Sequence, residues 1–251
     1  DRSVRREVFL FESGGEQLFA SLYASARPSR PAGVVVCPSW GIEANRMFGL
    51  VHGLVHRAAE LGGAGLVFHY PGYGDSTGRL ASVTMEDLAA AAIDATADAS
   101  RREPGLEWGF AGVRLGAAVA ALARRTARVR QLLLVQPALD PASYFEEVLA
   151  KRRRATLGRD GATRFAFGYP VPEALLRVGP SITSSVSSEL GSLDGENGLV
   201  VHYRTPAASW PGLERFDRIT VAGRWRFGLK DYPALAGGAL AALEKLMGQM
   251  P

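Results

Sequence analysis

Trp108-Gly109-Phe110-Ala111-Gly112-Val113-Arg114-Leu115-Gly116-Ala117 decides how the chain is read. An apolar run ends in Gly-x-x-x-Gly, and an Ala-rich helical stretch follows at once. That layout predicts a buried strand turning sharply into a helix. The two glycines permit the tight turn, and the residue between them projects over the sheet edge. Where such an elbow presents a nucleophile, the central residue is Ser, Cys or Asp. Here it is Arg114.

Outward from the elbow, strands and helices alternate. Residues 5–24 read as a hairpin around Ser13-Gly14-Gly15-Glu16. Residues 33–37 (Gly-Val-Val-Val-Cys) and 65–70 (Gly-Leu-Val-Phe-His-Tyr) are continuous apolar runs, as in strands buried on both faces. Helical spacing covers residues 47–61, and the Gly62-Gly63 pair stops it. Thr84, with Asp87 three residues on, predicts a capped helix reaching about Ser100. The strand before the elbow covers 106–111, the helix after it 114–125, and a further buried strand 131–135. This order implies a doubly wound, mostly parallel α/β sheet. The pattern loosens over 142–190, which reads as an inserted helical cap within a single domain spanning 1–251. Strands resume at 199–203 and 218–221, and a helix closes at 232–246.

The bulk numbers set limits. The chain has 251 residues, 47% of them hydrophobic, enough for one large α/β domain. No run is long enough to cross a bilayer, and no charged-then-apolar leader opens the sequence. One cysteine, Cys37, excludes an internal disulfide framework and is expected to be an inert core thiol in a reducing cytoplasm. The net charge is +4 and the pI about 9.5. Lysine occurs only at Lys151, Lys230 and Lys245, an Arg, Ala and Gly bias in keeping with high-GC bacterial coding. The basic run Lys151-Arg152-Arg153-Arg154 reads as a solvated helix end. No aromatic stacking platform accompanies it, so a nucleic-acid partner is not expected.

Over nearly its whole length this order resembles the α/β-hydrolase fold. Tyr70-Pro71-Gly72-Tyr73-Gly74-Asp75-Ser76 is similar to the loop after that superfamily's fourth strand. A narrower resemblance is to bacterial exosortase-system-associated hydrolases, a subgroup that also carries Arg in the elbow. It rests on residues 108–117, 132–137 and 145–153, on Glu43-Ala44-Asn45-Arg46, and on Gly168-Tyr169-Pro170.

The resemblance makes the missing chemistry readable. Serine hydrolysis needs a nucleophile, a His base, an acid and oxyanion donors. Arg114 cannot attack or accept a proton at ordinary pH. The base slot reads Ala222-Gly223-Arg224-Trp225-Arg226 and the acid slot Arg204-Thr205-Pro206. An oxyanion pocket needs only backbone, with donors expected at Leu115 and near Trp40. Arg114 could clamp a carboxylate, phenolate or enolate beside it, or simply pair with Glu43 in the interior. Glu43 is a candidate general base or that ion-pair partner. His69, at a strand end, is the best-placed histidine for chemistry, and His202 lies near the same edge. His52 and His56 share one helix face without an obvious third ligand, so no metal is expected. Asn45 and Arg46 are read either as capping the next helix or as touching ligand. Asp75 and Ser76 are expected to stabilise their own turn.

Trp40, Tyr73, Trp108, Tyr144, Phe145, Tyr169 and Trp225 bring aromatic surface near the presumed pocket and cap. They suit an apolar or aromatic small molecule. Three readings follow. One is a cofactor-free enzyme of bacterial specialised metabolism without the serine mechanism, with Arg114, Glu43 and His69 catalytic. Its substrate would meet Trp40, Leu115, Asn45, Tyr73, Tyr144, Tyr169 and Trp225. The second is a non-catalytic binder. The third is a hydrolase using Ser39 or a water activated by Glu43. A homodimer is compatible with all three.

Overall fold

A computed structural model describes residues 4–150, 155–158, 163–177, 180–193, 197–203, 213–222 and 232–250. The run at Lys151–Arg154, the acid slot Arg204-Thr205-Pro206 and most of the base slot, with Trp225, lie outside the described residues.

The hairpin is β1 (Val4–Ser13) and β2 (Glu16–Ser25). β3 (Ala32–Cys37) is followed by α1 (Gly41–Arg46) and α2 (Phe48–Glu60), then β4 (Ala64–Phe68). A 3-10 turn at Leu80–Ser82 precedes α3 (Met85–Arg102), β5 (Glu107–Val113), α4 (Gly116–Ala123) and β6 (Leu132–Val135). The insertion holds α5 (Pro141–Ala150), β7 (Ala155–Leu157), β8 (Arg164–Ala166), β9 (Tyr169–Val171), α6 (Glu173–Leu176) and α7 (Pro180–Gly191). β10 (Gly198–Tyr203), β11 (Asp217–Val221) and α8 (Tyr232–Gln249) complete the order.

The main sheet runs β1-β2-β4-β3-β5-β6-β10-β11. β2 is antiparallel to both neighbours, and every pairing from β4 to β11 is parallel. Both faces are covered, which is why the central strands carry uninterrupted apolar runs. α3, α4 and parts of the insertion pack on one face; α2 and α8 pack on the other. The expected capping box at α3 is present: Thr84 Oγ1 accepts from the Asp87 N–H, and the Asp87 carboxylate accepts from the Thr84 N–H. Cys37 is buried, and burial pushes its thiol pKa up.

Three local expectations are corrected. The helix after the elbow begins at Gly116, not Arg114, because Arg114 is the turn residue itself (φ 53°). The helix expected over residues 47–61 is present as α2, but a further short helix, α1, precedes it and ends at Met47. The insertion expected to be helical also contains the antiparallel β7-β8-β9 sheet.

Candidate active site

The elbow is held by close backbone approach. A Cβ on Gly116 would lie 2.0 Å from the Cys37 carbonyl oxygen, and one on Gly112 would lie 2.5 Å from the Ala117 Cα. Only hydrogen at those positions lets β5, α4 and the end of β3 converge. Arg114 then sits in the left-handed region with its N–H donating to the Val135 carbonyl (3.0 Å). Gln136, at the end of the neighbouring β6, is also left-handed (φ 46°) and buried. Such conformations cost about 1–3 kcal/mol each in a non-glycine residue. Of the four such non-glycine residues among the described ones, Arg128 and Phe167 lie elsewhere, and Arg114 and Gln136 stand together at adjacent strand ends.

The Arg114 side chain turns inward, with 4% of the residue exposed. Nε donates to Glu43 Oε1 (3.3 Å), Nη1 to the Gln136 carbonyl (3.4 Å) and Nη2 to Glu147 Oε2 (3.1 Å). Its guanidinium carbon lies 5.5 Å from the Tyr144 ring centre. Glu43 is 2% exposed. Its Oε2 accepts from both Ser39 Oγ and Tyr144 Oη, each at 2.8 Å. A buried ion pair persists only when its remaining hydrogen-bonding capacity is met. This one is assembled from five places in the chain: the loop after β3, α1, the elbow, the end of β6 and α5.

Burial acts most strongly on Arg114 and would lower its pKa, but the electrostatic pull of Glu43 first, with Tyr144 and Glu147, outweighs it and the net direction is upward. Arg114 is a permanent cation. Burial, then the Glu43 charge, hold the Tyr144 pKa well above the usual phenol value, so Tyr144 is a neutral donor. Glu147 differs from the rest of the cluster, since its side chain is 44% exposed. The backbone N–H groups of Leu115 and Trp40 have no acceptor among the described residues, and neither does the buried Trp40 Nε1. Those two backbone donors are the ones expected to line an oxyanion pocket.

The structure thus joins Arg114, Glu43 and Tyr144. It brings in Ser39, named above as an alternative nucleophile, and adds Gln136 and Glu147. Glu147 was missed, although it stands three residues from Tyr144 on α5 and so shares its face.

His69 is not in this network. Its ring stacks on Phe19 of β2 (4.8 Å between centres) and meets Tyr73 edge-on (5.6 Å). Nδ1 accepts from the Asp75 N–H at 3.4 Å. His69 therefore braces the loop over residues 71–78. Ser76 also serves that loop: its Oγ donates to the His69 carbonyl and accepts from the Phe19 N–H. Asn45 does not cap α2, whose N-cap is Met47 without a side-chain cap bond. Its Oδ1 lies 2.5 Å from Tyr73 Oη, and its Nδ2 donates to Tyr169 Oη in the insertion. Tyr73, Asn45 and Tyr169 form a bridge that ties the insertion to α1. Trp40 packs edge-on against Phe145 (6.0 Å), and Trp108 packs over Gly33 near the opposite end of β5.

The two helix-face histidines have local partners. His52 Nδ1 lies 3.2 Å from Tyr23 Oη, and His56 Nδ1 lies 3.3 Å from Glu60 Oε1. Among the described residues no group of three His, Cys, Asp or Glu is placed to hold a metal, and no helix is long and apolar enough to cross a membrane.

Burial lowers the pKa of both His69 and His52, assisted at His52 by Arg6 and opposed at His69 by Asp75. An unfolded chain takes up protons as pH falls through about 6.5, where the folded chain refuses them. Stability should therefore fall on acidification through that value. Thermal unfolding at about pH 7.5 and about pH 5.5 should show a lower Tm at the acid value. The difference should shrink in a His52→Gln/His69→Gln variant; an unchanged difference would assign the effect elsewhere.

No protein-family model matches the chain, and no curated protein does. Solved structures do. Est1E from Butyrivibrio proteoclasticus with ferulic acid bound is 16% identical, with TM-score 0.64 over 96% of this chain and 98% of that one. A lidless α/β serine hydrolase from Xanthomonas campestris is 14% identical, with TM-score 0.61 over 98% and 96%. The thioesterase domain of the curacin biosynthetic pathway is 15% identical, with TM-score 0.55 over 98% and 100%. At these identities the likeness is one of architecture, and together with the sheet order and the elbow it establishes that this chain has the α/β-hydrolase fold.

Proposed function

We propose that the chain is an enzyme of the α/β-hydrolase fold that works without a Ser-His-Asp triad. Arg114, at the position of the nucleophile, receives an anionic oxygen of a bulky apolar or aromatic small molecule. The N–H groups of Leu115 and Trp40 stabilise charge that develops on the same substrate. The reaction class is acid/base or oxyanion-stabilised: a lyase, or a carbon–carbon bond-forming or rearranging step, in bacterial specialised metabolism. Tyr144 and Glu43, 2.8 Å apart, are the proton-handling pair, and His69 is a positioning residue for the loop beside them. The 142–190 insertion serves as the cap, and Asn45, Tyr73 and Tyr169 hold it in place.

One observation carries this reading. Arg114 is buried, yet its Nη2 is paired to the one exposed carboxylate of the cluster, Glu147. A substrate anion entering from solvent can replace Glu147 without breaking the buried Glu43 pair, and planar guanidinium suits that exchange.

The test is binding of aromatic carboxylates and phenols, followed by product analysis. Arg114→Met should abolish saturable binding. Glu147→Gln should strengthen it about tenfold, because a charged competitor is removed. Equal binding by wild type and Arg114→Met would overturn the assignment. Covalent labelling by a fluorophosphonate, lost in Ser39→Ala, would favour a hydrolase instead. A binding-only role draws support from Glu43, whose two oxygens are already occupied by three donors; ligand recovered unchanged would favour it.

A further inference from the structure

β1 ends the main sheet, and nothing among the described residues pairs with its outer side. It is ten residues long, lacks proline, and keeps one unbroken register with β2 from Val4↔Ser25 to Ser13↔Glu16. Gly14 and Gly15 both have positive φ, 59° and 81°, as in the two-residue turns whose flanking residues form a hydrogen-bonded pair. Pairs of that kind alternate along an antiparallel ladder. Ser13, Phe11, Phe9, Glu7 and Arg5 therefore direct their backbone groups to β2. Glu12, Leu10, Val8 and Arg6 direct theirs to the open edge.

Those same four residues share one face. Val8 is 51% and Leu10 52% exposed, although both are large and apolar. Arg6 has no carboxylate partner among the described residues; it donates to Ser21 Oγ (3.0 Å) and lies over Tyr23. Glu12 has no ion-pair partner among the described residues either. Natural edge strands carry charges to discourage pairing, and a charged edge accepts only a complementary one.

We propose that β1 pairs antiparallel with β1 of a second copy of this chain, about a two-fold axis through Phe9. In that register Arg6 faces Glu12 of the second copy, Val8 faces Leu10, and the reciprocal pairs follow by symmetry. Every outward-facing backbone group from Arg6 to Glu12 gains a partner. A shift of the axis by one residue sets Arg6 against Leu10, or Val8 against Glu12, so this register alone matches charge to charge and apolar to apolar. Phe9 meets its own copy on the other face at a non-hydrogen-bonded position, where side chains approach closely. The Arg102 guanidinium already lies over that ring, 3.4 Å from its centre. The product is one sheet continuous through both copies.

Sedimentation velocity of the full chain across a dilution series tests this, with circular dichroism confirming that each variant is folded. Wild type should dimerise. Arg6→Glu and Glu12→Arg should each weaken the dimer by about tenfold or more, since each sets like charges opposite one another twice. Leu10→Lys should do the same. An equimolar mixture of Arg6→Glu and Glu12→Arg chains should recover dimers, because every charged pair in the mixed species is again opposite. A monomeric wild type, single reversals that dimerise like wild type, or a mixture that stays monomeric would each overturn the proposal.

Discussion

Glu43→Ala should be among the most destabilising single substitutions in the molecule. It removes the buried carboxylate that Arg114, Ser39 and Tyr144 all address, at 3.3, 2.8 and 2.8 Å. Breaking a buried ion pair by deleting one partner costs about 3–5 kcal/mol, because the other charge stays buried. Arg114 retains Glu147 and the Gln136 carbonyl, which places the loss nearer the lower figure. For a domain of this size that is a fall in Tm of about 6–20 °C. Glu43→Gln should lose less, since its amide oxygen still accepts a hydroxyl hydrogen bond. The double variant Glu43→Leu/Arg114→Leu should recover part of the loss, as replacing both charges removes the desolvation cost of each. Thermal unfolding of the four proteins measures the ranking. A Glu43→Ala protein within about 1 kcal/mol of wild type would mean that the pair does not hold the site together.

Much of this arrangement could be read before any coordinates. The continuous runs at Val34-Val35-Val36 and Leu132-Leu133-Leu134-Val135 could only be strands covered on both faces, and Gly112 and Gly116 fixed the elbow between them. A cation in that turn called for a buried anion, and pairing with Arg114 was one of the two readings open for Glu43, in the loop after the third strand. Glu147 was not legible, because an exposed acidic residue on a helix is ordinary until a cation is seen to reach it. α1 escaped notice because six residues do not display a helical period. The three-residue strands β7, β8 and β9 escaped for the same reason, and Gly168 and Pro170 further break the pattern around β9. His69 shows the other limit. Its position after β4 was right, but its role depends on Phe19, fifty residues earlier in the chain, and no local pattern reports such a contact.

Gly116→Ala should be comparably severe, and for a different reason. The added Cβ would stand 2.0 Å from the Cys37 carbonyl oxygen and 2.6 Å from that of Pro38. Both are backbone atoms, so no rotamer change makes room; α4 must move away from the end of β3. Overpacking that displaces backbone costs about 1–3 kcal/mol and sometimes more, and this contact belongs at the upper end. Function should suffer beyond stability. Gly116 sits one residue after Leu115, and the carbonyls it touches lead directly into Ser39 and Trp40. Moving those segments apart separates the two backbone donors, so ligand binding should fall even where the protein stays folded. Gly53→Ala provides the contrast. Gly53 lies in α2 with nothing within 4 Å of an added Cβ, so the same substitution there should stabilise by about 0.4–1 kcal/mol. One methyl group thus carries opposite signs at two glycines. Equal Tm values for the two variants would show that the elbow tolerates the shift and that its close approach to β3 does not organise the site.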